Sequence, residues 1–384
     1  MNLDQELISH SFVKSERTYL NNASSSLIPL QTMKAMTDFT IQYNELGPDS
    51  LDFAALLKEK TIRLREAISK LVKCRPEEVV FTQSTTEGIN AVSNGMSFPK
   101  NSNMIIRGST QEHHSNYFPW LRLSKNVELR SLAIDESGFF EISELEKLVD
   151  ENTKLVALSH ALYNTGAVMP VTEVGKILRE KNVPYFLDAA QTVGCIGEFD
   201  FSKIDANFVA FNGYKWLCGP MGIGIFVCKK DSAGLLEPMQ VAGESSMLYD
   251  KDQLAHKDIP DKFQASFRNF VAVVGLESSV NFLLHFGLEN IRHKVISLAN
   301  LLRDELAKIP EVTLYGPADQ QKRTSIVSFT VSKKSPQEVV EYLEQQRIIL
   351  AQREISDRKI VRASPHFFNT ENDVLRTVEA IKKL

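Results

Sequence analysis

Cysteine is scarce in this chain: it occurs four times in 384 residues, at positions 74, 195, 218 and 228. None stands in the paired CxxC spacing of a zinc or redox site, so no metal centre is read from them. They are expected to be reduced and buried, with Cys218 packed against a sheet although it lies three residues after Lys215. No segment approaches the ~18 continuous apolar residues of a membrane span. The opening stretch MNLDQELISHSFVKSERTYL has no apolar core followed by a small-residue cleavage site. The net charge of -4 shows no excess of basic residues, which argues against a general nucleic-acid or anionic-membrane surface. Repeats of fixed period and low-complexity stretches are also missing, which sets aside solenoid architectures. These absences leave a cytoplasmic protein whose partner is a small molecule or another protein.

What is present is ordinary globular material, 43% hydrophobic and 24% charged, in a chain long enough for two domains. From about residue 76 to 228, short apolar runs alternate with helical periods. Lys154–His160 reads as a strand, Val171–Lys181 as an amphipathic helix and Val183–Asp188 as the next strand. That βαβ unit requires parallel strands and a right-handed crossover, hence a sheet with helices on both faces. Beyond Asn290 the apolar residues Ile291, Val295, Leu298, Leu302 and Leu306 recur at helical spacing. A strand over Thr324–Val331, a helix over Pro336–Arg347, two short strands and a helix from Glu371 follow, which together make a small α+β domain. The expected division is an N-terminal arm (1–19) packing on the small domain, a large domain (20–287) and the small domain (288–384).

Five segments carry side chains suited to chemistry. In FNGYKWLCGPMGIG (211–224), Lys215 lies between Tyr214 and Trp216 at a strand end, where open α/β sheets present ligands. Desolvation there would favour the neutral amine, a nucleophile able to condense with an aldehyde; a snorkelling lysine is the plainer reading. Asp188 ends an apolar strand and either meets a cation, such as a protonated pyridine nitrogen, or caps a turn. Thr85 and Thr86 follow Ser84 where a strand turns into a helix, a place suited to phosphate, though Ser84 with Glu87 also fits a capping box without a ligand. In Glu112-His113-His114-Ser115-Asn116 the adjacent histidines point to opposite sides, so they cannot chelate one metal together; one could lie flat on a planar cofactor, and a structural role is expected for His114. Arg362 follows a short apolar strand and suits a carboxylate in two-point contact, an exposed surface arginine being the alternative.

Taken together, YLNNASSSLIP, STTEGIN, EHHSN, SHALYNTGAVMPV, DAAQTVG, GYKWLCGPMGIG and RASPHFFNTENDV resemble the class V aminotransferase family of fold-type I pyridoxal-phosphate enzymes, over nearly the whole chain. The resemblance implies an α/β fold, with a mostly parallel seven-stranded sheet covered by helices in the large domain and a smaller α+β C-terminal domain. It implies a pyridoxal 5'-phosphate cofactor, an amino-acid substrate and a homodimer. Lys215 would form the Schiff base and act as base at Cα, Asp188 would pair with the pyridine nitrogen and His113 would stack on the ring. Gln191 and Asn164 would contact the ring, Thr85, Thr86, Asn212 and Tyr214 would hold the phosphate, and Asn22 and Arg362 would meet the substrate. The sequence departs from the family in three places. Tyr163 stands where relatives commonly carry an asparagine, with Asn164 next. Ser266-Phe267-Arg268 replaces a Gly-Thr pair that reaches the partner subunit's phosphate in many members. The segment RIILAQREISDRKIVR (347–362) lacks the cysteine that desulfurases place before the carboxylate-binding arginine. Aminotransfer is therefore the leading expectation. A carbon–sulfur β-lyase or a desulfurase-like enzyme without the loop cysteine comes close behind, then an epimerase, with a catalytically silent cofactor-binding regulator as the reading from another class.

Overall fold

The apolar runs between residues 79 and 228 form one sheet in a computed structural model that describes residues 3–108, 111–135, 137–250 and 253–384. Its strands are β1 (Val79–Thr82), β2 (Asn103–Arg107), β3 (Glu128–Leu132), β4 (Thr153–Ser159), β5 (Tyr185–Asp188), β6 (Phe208–Asn212) and β7 (Gly224–Cys228). The seven lie in the order β1-β7-β6-β5-β4-β2-β3. Strand β7 runs antiparallel to both neighbours, and the remaining pairs are parallel. Alternate residues serve two cores, as the two-residue period of a strand requires. Val79, Phe81, Ile105, Leu158, Leu187 and Val209 face one side. Val80, Met104, Ile106, Ala157, Phe186 and Phe226 face the other. Helices on both faces make these strands buried throughout, which explains their near-continuous apolar sequences.

Helices Leu30–Leu46 and Leu51–Val72, which were not anticipated, pack with Phe270–Phe286 through Phe39, Phe53 and Val274. The last of these meets helix Leu288–Leu306 at Gly287, where the chain bends by 82° with φ +80. Among the described residues no single helix is long and apolar enough to cross a membrane. Leu298, Leu302 and Leu306 then enter a separate core with Val327, Phe329, Val361 and Val378. That core lies against a four-stranded antiparallel sheet of β8 (Val312–Tyr315), β9 (Val327–Val331), β10 (Ala351–Ile355) and β11 (Arg358–Ala363), in the order β8-β9-β11-β10. Strand β9 starts later than Thr324 because the Thr324 N–H donates to Gly166 O of the large sheet's loops. Residues of the N-terminal arm reach both cores. Thr18–Tyr19 pairs in parallel with Ile348–Ile349. Ile8 and Phe12 belong to the larger core, with Phe12 edge-on to Phe282 and Phe367.

Candidate active site

Strands β5 and β6 run parallel and end side by side at Asp188 and Asn212, and helix Thr85–Gly95 begins over those ends. Two glycines permit the approach. A Cβ on Gly88 would lie 2.8 Å from Ala210 Cβ, and one on Gly224 would lie 2.6 Å from the carbonyl carbon of Ser84. Ser84 Oγ accepts the Glu87 N–H at 3.3 Å. The Glu87 carboxylate takes the Gln83 N–H rather than that of Ser84, so the expected capping box is displaced by one residue. Thr85 and Thr86 occupy the first turn, where backbone N–H groups lack helical partners and favour an anion.

The cleft beneath is lined by Thr85, Thr86, His113, Asp188, Gln191, Asn212, Tyr214 and Lys215, with Tyr163 at one wall. Asn212 joins two parts of it. Its Nδ2 donates to Thr85 Oγ1 at 3.1 Å, and its Oδ1 accepts the Lys215 N–H at 3.2 Å. Burial pushes the Lys215 amine down to about 8; Asp188 opposes the shift, while Arg362 and Arg353 add to it. Burial pushes the Asp188 carboxyl up to about 7, against the Ala190 N–H that donates to its Oδ1 at 2.9 Å. The two residues face the same cleft, yet no ion pair within 4 Å joins them among the described residues.

His113 presents its open side to the cleft and has Tyr163 edge-on at 5.0 Å. Its pKa lies below the ordinary 6.5 because of burial on the inner side and the nearby Lys215 charge. Its Nδ1 accepts the Ser115 N–H at 3.1 Å, so the neutral ring carries its proton on Nε2. His114 points the other way and stacks on Phe118 at 4.5 Å. Gln191 Oε1 accepts the Trp216 indole N–H at 2.8 Å, and Nε2 donates to Ala23 O at 3.0 Å. One amide N–H of Gln191 is left for the cleft.

Three expected site residues do not line this cavity. Asn164 is a correction: its Nδ2 donates to Glu354 O at 2.8 Å and its Oδ1 accepts the Thr165 N–H, which turns the side chain toward the small sheet and leaves Tyr163 at the cleft. Asn22 is fully buried, donates to Ser364 O at 2.9 Å and accepts from Ser26 Oγ, so it ties the N-terminal stretch to the small sheet. Arg362, 1% exposed, stands beside the cavity: Nη1 donates to Tyr163 O at 2.6 Å, Nη2 to Ser24 Oγ at 2.6 Å, and Nε has no partner. Burial and then Arg353 hold its pKa well below the ordinary arginine value. Arg268 is engaged within its own chain, in an ion pair with Glu244.

Behind the cleft lies a network that motif reading missed. Glu112 accepts from Ser159 Oγ at 2.5 Å and from the His113 N–H at 2.9 Å, and its other oxygen lies 3.6 Å from the guanidinium of Arg107, itself 0% exposed. The available signal was Arg107 itself, a lone charge closing the apolar run NMIIR.

The profile of the Aminotransferase class-V family matches residues 18–377. The chain belongs to that family. A probable cysteine desulfurase from Methanothermobacter thermautotrophicus is 30% identical over 384 residues, covering 96% of this chain and 95% of that one. A cysteine desulfurase from Escherichia coli is 28% identical over 383 residues, covering 95% and 93%. An apo structure of cysteine desulfurase from Thermococcus onnurineus superposes with a TM-score of 0.92 at 26% identity, over 100% of this chain and 98% of that one. This class-V chain is an enzyme, and its cofactor is pyridoxal 5'-phosphate. The cleft fits that group, because a pushed-down amine and a buried carboxyl face one cavity without pairing, with hydroxyls and a helix N-terminus beside them.

Proposed function

We propose that this class-V enzyme cleaves the Cβ–S bond of a cysteine-type amino acid by β-elimination and releases the sulfur to solution as a free species. The observation that carries the reading is the state of its thiols. All four cysteines are free, and burial pushes Cys74, Cys218 and Cys228 up to about 12 and Cys195 up to about 11. Cys218 is sealed, its Sγ lying 3.5 Å from Ser26 Oγ and 3.4 Å from His366 Nε2, and it does not line the cleft. A thiolate that takes sulfur from substrate must be ionised and exposed, and no cysteine here is both. The desulfurase relatives support carbon–sulfur chemistry over the aminotransfer first expected.

When bound, pyridoxal phosphate supplies an aldehyde carbon for an amine and a ring that draws electrons from Cα. Asp188, at the ends of the parallel strands, would hold a positive ring nitrogen. Thr85, Thr86, Asn212 and Tyr214 would hold the phosphate. Lys215, its amine pushed down to about 8 so that a minor but useful fraction is free base at physiological pH, would remove the Cα proton. His113 would lie against the ring and, with its proton on Nε2, could donate to the departing sulfur. Arg362 would take the substrate carboxylate with the buried Nε donor that has no protein partner.

A homodimer belongs to the same reading. Met247, Leu248, Tyr249 and Leu254 are exposed on the hairpin Ser246–Asp250 and Gln253–His256, an apolar surface suited to a second copy. Sedimentation at twice the chain mass is the expected result.

The test supplies L-cysteine or S-methyl-L-cysteine to the holoenzyme without any keto acid. Expected are thiol or sulfide, keto acid and ammonia in equal amounts, no sulfur left on the protein, and an unchanged rate in Cys218→Ala. Conversion of the cofactor to its amine form, reversed by a keto acid and without sulfur release, would return the assignment to aminotransfer.

A further inference from the structure

We propose that the cleft selects amino acids carrying a second anionic group beyond the sulfur, with Arg362 taking the α-carboxylate and Arg353 the distal one. The register of the hairpin β10–β11 pairs Ala351 with Arg362 and Arg353 with Ile360. Residues 353 and 362 are therefore diagonal neighbours on one face of the hairpin. Both guanidinium groups converge on a single neutral atom, Ser24 Oγ. Their other partners are also neutral: Gln352 O for Arg353, and Tyr163 O and Asn21 Oδ1 for Arg362. No carboxylate pairs with either group within 4 Å among the described residues.

Two cations held side by side, one buried and one half-buried, repel each other and lose hydration, which is costly unless anions arrive. A single α-carboxylate is satisfied by one planar guanidinium, which leaves the second charge without an opposite. Both charges bear on the cleft, since each helps to hold down the pKa of Lys215 and of His113. Ser24, whose oxygen accepts from both groups, marks the place between them. A side chain that runs from Cβ through sulfur to a carboxylate matches that layout. The substrate class is a thioether or disulfide of cysteine with an acid on its far arm.

The linking sulfur rests on the carbon–sulfur reading above, whereas the charge selectivity does not. The test is titration of the holoenzyme's visible absorbance with two pairs of ligands matched in shape. S-carboxymethyl-L-cysteine is compared with S-carbamoylmethyl-L-cysteine, and L-glutamate with L-glutamine. The ratio of dissociation constants within each pair is the readout, and thiol release is scored separately. Wild type should favour the acid of each pair roughly tenfold or more. Arg353→Gln should bring the ratio to about one, and Arg353→Lys should keep part of it. Equal binding within both pairs, or a preference that survives Arg353→Gln, overturns the proposal. An acid preference without thiol release upholds it and removes the carbon–sulfur reading instead.

Discussion

The indole N–H of Trp216 donates to Gln191 Oε1 at 2.8 Å, and that bond fixes which way the Gln191 amide faces. With the oxygen taken, Nε2 must supply Ala23 O and the cleft. Trp216→Phe removes the orienting donor at nearly constant shape. Pyridoxal phosphate should then bind the apoprotein about fivefold more weakly, corresponding to about 1 kcal/mol for one neutral hydrogen bond. Fluorescence-free titration by absorbance would read this, and an unchanged affinity would show that the amide orientation does not matter.

Lys215→Ala should lower turnover roughly a thousandfold or more while leaving the circular dichroism and melting profile intact. The amine's pKa, about 8 against the ordinary 10.5, adds a pH signature. An amine attacks as the free base, so the rate at which apoprotein captures cofactor should rise from pH 7 and level off above about pH 9. A rise that continues toward pH 10.5 would mean that burial does not tune this lysine.

Arg362→Ala should act mainly on KM, raising it roughly tenfold to a hundredfold, the scale of a charge-assisted contact. A change in kcat alone would move Arg362 from carboxylate binding to a part in the chemical step.

His160 and His366 are buried, and burial holds both near pKa 3. In the unfolded chain each would titrate near 6.5, so between pH 6.5 and 3 the unfolded state binds more protons. Stability is therefore fully present above pH 6.5 and is lost as pH falls, by about 1.4 kcal/mol per unit for each histidine. Thermal unfolding at pH 7 and pH 5 would reveal it. His366→Asn should flatten the dependence, and an equally steep slope in that variant would assign the loss to other groups.

The residues that sequence reading gathered in one place share a topological cause. Lys215, Asp188, Asn212, Thr85 and Thr86 all lie at strand ends or helix starts, and a largely parallel sheet brings such positions to one edge. The choice between Tyr163 and Asn164 was not legible, because one step along an extended chain exchanges the cleft for the small sheet and only tertiary packing decides which side chain takes it. Ser24 and Glu112 escaped notice for a related reason: their importance comes from partners distant in sequence, Arg353 with Arg362 and Ser159 with Arg107. Strand β8 was missed because VTLY is a four-residue, partly exposed edge with little apolar signal.

The hairpin that carries Arg353 and Arg362 is closed by only Ser356 and Asp357, and the segment leading to it holds no cysteine. On the carbon–sulfur reading, the liberated sulfur has no stopping place on the protein and passes directly into the surrounding medium. Onward delivery would then follow mass action: its rate would depend on the concentration of whatever dissolved acceptor is nearby, and the enzyme would act as a source of diffusible sulfur instead of a courier to one recipient.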